Sequence, residues 1–299
     1  MMAAIEQTLR GTLKLNEPMA RHTSWRVGGP ADRYYEPADI SDLAQFLSQQ
    51  DSNETLMWVG LGSNLLVRDD GIRGTVIMTS GLLNEIELLG EGLVRAEAGV
   101  ACAKVARFCA RQHLVGVEFL AGIPGTMGGA LAMNAGAFGG ETWQHVAAVE
   151  TIDRHGQCHL RQPEEFQVAY RHVKGVSDEW FVAAHLRLHQ GDSAAATARI
   201  KELLERRNAS QPIGLPSCGS VFRNPDDDHA ARLIEACGLK GTCIGGACVS
   251  EKHANFIINT GNAAAAEIEV LIEKVWAEVE RQHGVELIRE VHIVGEAVV

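Results

Sequence analysis

Two glycine-rich stretches and three isolated polar side chains are the places where this sequence could do chemistry. The longer stretch, Phe119 to Gly140 (FLAGIPGTMGGALAMNAGAFGG), runs 22 residues without a charge and contains seven glycines. Its length would span a membrane, but glycine and proline at this density are poor helix formers. Glycines let backbone N–H groups approach a ligand closely, and an uncharged neighbourhood suits a flat, largely apolar body. A cofactor with a pyrophosphate and a ring system meets both conditions; a buried glycine-rich loop without a ligand is the alternative. The shorter stretch, Gly60-Leu61-Gly62-Ser63-Asn64, follows the strand candidate Thr55 to Val59. A strand opening into glycines is a phosphate-cradle arrangement. It is not a Rossmann fingerprint, because G-x-G-x-x-G needs glycine where Leu65 stands. Taken alone it is equally a tight surface turn.

The three polar side chains are Arg171 after Tyr170, Ser220 in SCGSVFRNP, and Glu290 in the terminal strand candidate VELIREVHIVG. Each has an ordinary explanation: a stacked surface pair, a turn serine, a solvent-facing strand glutamate. Ser220 lacks the G-x-S-x-G elbow of a serine hydrolase. The residues by themselves support a mixed α/β protein that binds a nucleotide cofactor.

These positions need a scaffold, and 299 residues suffice for two or three domains. A helix is predicted over Pro37 to Gln50 behind an Asp39 cap, with Ile40, Leu43, Ala44 and Leu47 at helical spacing. Strands follow at Thr75 to Thr79 and Leu93 to Glu97, a helix at Ala103 to His113, a hairpin at Val149 to Leu160, and a strand at Phe181 to Leu188. A long helix begins at Ser193 and crosses toward a further domain. There Ser217 to Asn224 reads as turn and short strand, Asp228 to Cys237 as a helix closed by Gly238, and Ala254 to Asn259 as a strand. Ile268, Leu271, Ile272, Val275 and Val279 mark an amphipathic helix stopping at Gly284.

A net charge of −11 argues against a broad nucleic-acid or anionic-membrane surface. The start, MMAAIEQTLR, places Glu6 where a signal peptide needs a cationic and apolar run, so a cytoplasmic chain is expected. Seven cysteines without C-x-x-C spacing are expected to be reduced thiols. No metal site is expected: Cys243 and Cys248 lack a second pair, and H-E-x-x-H is absent.

Seven blocks in order, HTSWRVGG, GLGSNLLV, AGIPGTMGGALAMNAGAFG, AYR, CGSVFRNP, KHANFIIN and REVHIVG, span His22 to Gly295. Together they resemble the UDP-N-acetylmuramate dehydrogenase family, also called UDP-N-acetylenolpyruvoylglucosamine reductases. The resemblance implies an α+β fold: an FAD-binding domain of the vanillyl-alcohol-oxidase type in two subdomains (1–80 and 81–192), then a C-terminal α/β substrate-binding domain (193–299). The last strand is expected to pack back on the FAD domain. It further implies a flavoenzyme of bacterial cell-wall precursor synthesis, with non-covalent FAD and NADPH as hydride donor. A UDP-sugar is the implied substrate; no nucleic acid, membrane insertion or obligate protein partner is implied.

By the same resemblance, Arg171 and Glu290 stabilise the charge that builds on the enolpyruvyl carboxylate, and Ser220 is the proton donor. FAD contacts carry over to Gly60, Gly62, Ser63, Asn64 and Leu65, and to Ala121, Gly122, Ile123, Pro124, Gly125, Thr126, Gly129 and Asn134. Substrate contacts carry over to Arg207, near a diphosphate, and to Asn224 and His253. The short run Tyr170 to Phe181 lacks the tyrosine-bearing loop of one branch of the family and fits its shorter second type. Val173 stands where a serine is frequent, and Cys218 where small residues are usual. Its thiol is either oxidation-sensitive or simply packed.

Overall fold

A computed structural model describes residues 9–297; Glu6 and the rest of residues 1–8, which carried the expectation about a signal peptide, lie outside them. The first sheet comprises β1 (Thr12–Pro18), β2 (Pro30–Glu36), β3 (Leu56–Val59) and, beyond the short β4 (Leu65–Val67), β5 (Ile72–Met78). Their spatial order is β1-β2-β5-β3, with β2 and β3 both parallel to β5. Helix α1 (Ile40–Ser48) connects β2 to β3. It starts where expected because the Asp39 carboxylate accepts the Asp42 N–H at 2.8 Å, and it buries Leu43, Phe46 and Leu47.

The second sheet is antiparallel and runs Cys158–Arg161, Val146–Asp153, Glu179–Arg187, then β7 (Leu93–Glu97) and β6 (Ile86–Gly90). Alternation decides its faces. Val94, Ala96, Val149, Ala184 and Leu186 point into a core with α2 (Cys102–Arg111), α3 (Met127–Met133) and α4 (Ser193–Ser210). On the other face Arg95 forks onto Glu150 at 2.7 and 2.8 Å, and His185 Nε2 lies 2.7 Å from the same carboxylate. Ala196 and Ile200 of α4 belong to this core, so by packing the helix goes with the middle third of the chain.

The last third contains α5 (Ala230–Ala236), short strands at Cys243–Ile244, Ala247–Val249 and Ile257–Asn259, and α6 (Ala265–His283). Its core includes the whole predicted face of α6, together with Trp25, Val27 and Leu66 from the first third. Trp25 Nε1 donates to the Ile257 carbonyl at 2.7 Å, and Asn259 Nδ2 donates back to the Trp25 carbonyl at 2.8 Å. His292–Val294 lies parallel to β4, so the last strand packs against the first third of the chain. Asp69 adds to this, each of its oxygens accepting one N–H from Ala265 and Ala266 at 2.9 Å at the start of α6. Asp69→Ala removes that cap and is expected to lower the unfolding free energy by about 1 kcal/mol. Urea denaturation reads this as a lower midpoint at constant slope; an unmoved midpoint would show the cap to be energetically idle.

Four local expectations are corrected. Cys243 and Cys248, expected as reduced thiols, form a disulfide. The Gly245-Gly246 turn makes them directly opposed residues of a hairpin, with Cα atoms 4.1 Å apart. The other five cysteines are free. The strand expected within Ala254 to Asn259 shrinks to Ile257–Asn259, and Ser217 to Asn224 holds only the isolated bridge Phe222 to Arg289. Glu290 lies outside any strand, because the terminal strand is only His292–Val294.

Candidate active site

The glycine-rich stretches face each other across a cleft of about 840 Å³. One wall is the turn after β3, where Gly60, Gly62, Ser63 and Asn64 lead into Leu65; the other carries Gly122, Ile123, Pro124, Gly125, Thr126 and Gly129. Two glycines are sterically required. A methyl group at Gly60 would collide with Thr126 Oγ1, and one at Gly62, whose φ is +61°, would collide with the His22 carbonyl. Thr126 Oγ1 and Trp58 Nε1 are buried polar atoms with no hydrogen-bond partner. Both residues line the cleft, so the unmet donors and the open glycine backbone suit a ligand with phosphate oxygens and ring heteroatoms. Trp58, Val59, Gly129 and Ala132 also border a second cavity of about 250 Å³, where Trp58 stacks on Trp180 at 5.4 Å. The cradle therefore fits an elongated FAD.

Arg171, Ser220 and Glu290 all line the same cleft. Arg171 sits at the tip of the hairpin Gln167–Ala169 and His172–Lys174, in the left-handed region at φ +53°. Its guanidinium stacks over Tyr170 and donates to the Gly136 carbonyl at 2.7 Å and the Asn134 carbonyl at 3.3 Å. Nε lies 3.2 Å from Glu290 Oε1. Burial pushes the Glu290 carboxyl above the ordinary range, opposed by the charges of Arg171 and Arg223. Ser220 is delivered by the backbone: Glu290 N–H donates to the Val221 carbonyl at 2.8 Å, and Val221 N–H to the Asn255 carbonyl at 3.0 Å. Asn64 joins cradle to acid, its Nδ2 donating to the Glu290 carbonyl at 3.0 Å while its own carbonyl accepts from His292 N–H at 3.1 Å.

Other expected positions divide. Arg207 lines the cleft; its Nε donates to Gln211 Oε1 at 3.1 Å, and burial alone lowers its pKa. Asn134 is a brace rather than part of the lining: Oδ1 accepts from Trp143 N–H at 3.2 Å, and Nδ2 donates to Glu141 at 2.9 Å and to the Ala169 carbonyl at 3.2 Å. It thereby holds the hairpin that carries Arg171. Ala121 is buried behind the wall, in the turn Glu118–Gly122. Asn224 accepts the Ala230 N–H at 3.2 Å at the start of α5, and His253 packs edge-on against Phe256; neither lines the cleft. Cys218 does line it, with its sulfur 3.4 Å from the Leu65 carbonyl and 3.6 Å from that of Gly62. Burial pushes this thiol up to about 12, which makes it a packed neutral group. Arg26, Trp58, Phe138, the segment 211–217 and His292 line the cleft without having been singled out in the sequence. For Arg26 and His292 the signal was present, since HTSWRVGG and REVHIVG contain them.

Comparison with known proteins places the chain. Residues 31–160 match the model of an FAD binding domain, and residues 211–294 match that of the UDP-N-acetylenolpyruvoylglucosamine reductase C-terminal domain. A reductase of that name from Alkalilimnicola ehrlichii is 63% identical over 297 residues, covering 99% of each chain. Another from Methylococcus capsulatus is 62% identical over 288 residues, covering 96% of this chain and 95% of its own. The crystal structure of the Thermus caldophilus UDP-N-acetylenolpyruvylglucosamine reductase superposes with a TM-score of 0.82 at 31% identity, over 96% of this chain and 99% of that one. An α+β chain with an FAD-binding domain and this C-terminal domain, it belongs to the UDP-N-acetylenolpyruvoylglucosamine reductase family of flavin-dependent oxidoreductases.

Proposed function

We propose that this protein reduces UDP-N-acetylglucosamine enolpyruvate to UDP-N-acetylmuramate in peptidoglycan precursor synthesis, with NADPH as the hydride donor and the two substrates reacting in turn. The supporting observation is the Arg171–Glu290 pair at 3.2 Å, held beside Ser220 in a glycine-walled cleft. Bound in this cleft, FAD would supply the hydride chemistry that links the nicotinamide to the methylene carbon of the enolpyruvyl group. Gly60 to Asn64 and Thr126 would hold its pyrophosphate, and Trp58 its distal end.

The chain's own residues account for the rest. Hydride addition pushes the double-bond electrons toward the neighbouring carbon and its carboxylate, and charge developing in a dry site is best met by fixed donors. Arg171 offers a planar fork to that carboxylate. Burial raises the Glu290 pKa and so favours its acid form, and in that form it donates a hydrogen bond to the carboxylate without adding a negative charge. Ser220 Oγ gives its proton to the carbon alpha to the carboxylate. A hydroxyl is a poor acid in water, and here it acts because contact with the forming carbanion is enforced. Arg207, whose side-chain partner Gln211 is neutral, would take the substrate diphosphate. We also propose cytoplasmic function, where both nucleotide substrates are found; among the described residues no helix is long and apolar enough to cross a membrane.

The test is the visible spectrum of the purified protein under anaerobic conditions. Yellow protein should bleach with NADPH and recolour with the enolpyruvyl UDP-sugar. Protein that bleaches and stays bleached in the presence of the sugar would be a flavoenzyme with another substrate. Colourless protein unable to take up FAD would overturn the cradle itself.

A further inference from the structure

We infer that Arg26 binds a phosphate group of an incoming nucleotide at the mouth of the cleft, a role that rests on the function proposed above. Arg26 lines the cleft and is exposed. Its backbone is in the left-handed region at φ +58°, a conformation that disfavours side chains other than asparagine and aspartate. Such strain persists only where the surroundings enforce it, and here they do. Thr23 Oγ1 donates to the Val27 carbonyl at 2.8 Å and Arg26 N–H to the Thr23 carbonyl at 3.0 Å, closing the turn on itself. The preceding Trp25 is locked into the C-terminal core through Ile257 and Asn259. Ser24 N–H donates to the Gly62 carbonyl at 3.0 Å, which sets the turn directly against the glycine cradle. A rigid turn thus presents one guanidinium to the cleft.

What that guanidinium does not do is equally informative. Most arginines near this protein's carboxylates are in ion pairs, as Arg68 is with Glu269 and Arg95 with Glu150. Among the described residues Arg26 forms no ion pair and its side chain no hydrogen bond. Three arginines line the cleft, Arg26, Arg171 and Arg207, against a single acid, Glu290, which is already paired with Arg171. Arg26 and Arg207 are therefore two cations without a carboxylate in one cleft of a chain whose net charge is −11. That overall charge repels polyanionic nucleotides, so a local cation at the entrance raises both encounter and retention. A guanidinium fork is suited to a phosphate. Both proposed substrates bring one: the diphosphate of the UDP-sugar, and the diphosphate and ribose phosphate of NADPH.

Arg26→Gln keeps length and polarity while removing the charge, and Arg26→Gly relieves the backbone strain as a control for folding. Both variants are expected to retain full flavin content. Each should raise KM for the nucleotide that Arg26 contacts by about tenfold with kcat unchanged, the loss of one charge-assisted hydrogen bond to a phosphate. The KM of the wild-type protein should rise with ionic strength, and that of the variants much less steeply. A rise confined to the UDP-sugar assigns the diphosphate of the sugar; a rise for NADPH but not NADH assigns the ribose phosphate. Titration calorimetry of the oxidised holoenzyme with UDP and with NADP⁺ gives the same answer without turnover, so it decides the role of Arg26 even where the sugar proves not to be a substrate. Unchanged KM values, dissociation constants and salt response would overturn the inference. So would an effect confined to flavin retention, which would make Arg26 a ligand of the resident cofactor.

Discussion

Ser220→Ala is expected to leave flavin content and bleaching by NADPH intact while slowing recolouring by the enolpyruvyl sugar about 10² to 10⁴-fold, the range for a lost general acid. The split follows from where the serine is held. Its backbone is placed by the bond from Glu290 N–H to the Val221 carbonyl at 2.8 Å and by the buried Val221 and Phe222. None of these depends on the hydroxyl. Alanine therefore removes one oxygen from the cleft and leaves the strand-free loop in place. Hydride arriving from the nicotinamide requires no proton from Ser220, so the first half-reaction has no reason to change. Stopped-flow absorbance separates the two halves, and equal slowing of both would remove Ser220 from the proton-donor role. Cys218, two residues earlier, does not take over the proton transfer, since its S–H is directed at the Leu65 carbonyl, 3.4 Å from the sulfur.

What could be read from the sequence was whatever depends on near neighbours. Helix α1 was legible because Asp39 caps it and the apolar spacing runs behind that cap. The α6 face was legible because five apolar residues repeat at helical intervals, although the residue that caps it, Asp69, lies in another part of the chain. VHIV beside Glu290 has strand character, and that local pattern extends to Glu290 itself. Its backbone instead pairs with Val221, a partner no local pattern reveals. Asn134 is a flavin contact by family resemblance, and in the structure Trp143, Glu141 and Ala169 take three of its four side-chain hydrogen-bonding positions. The Cys243–Cys248 disulfide depends on hairpin register, and a five-residue separation alone does not fix register. Trp25 shows the limit most clearly, because an N-terminal tryptophan completes a core made mostly of residues beyond 217.

Glu290→Gln tests whether the acid form of this carboxyl is what the site uses. Its pKa is raised, chiefly by burial, and Arg171 at 3.2 Å and Arg223 only partly offset the effect. The acid form thus survives to a higher pH than that of an exposed glutamate. For the wild-type protein the sugar-dependent half-reaction should be fastest below the raised pKa and should fall as pH rises through it, because the ionised carboxylate repels the substrate's own. The stability contribution has the same sign: it is fully present below the ordinary glutamate pKa and is lost as pH rises through the raised one. Glutamine cannot ionise, so in the variant both alkaline limbs should disappear. Glutamine still offers an N–H donor where the acid offered O–H, so the loss of rate at low pH should be smaller than for Ser220→Ala, about 10 to 10²-fold. Arg171 would keep its bonds to Gly136 and Asn134 in the variant, which holds the hairpin in place and confines the change to the carboxyl. The measurement is the pH profile of recolouring by the sugar for both proteins. An alkaline limb that persists in Glu290→Gln would assign that ionisation to another group, and an unchanged rate at every pH would take Glu290 out of the site's chemistry.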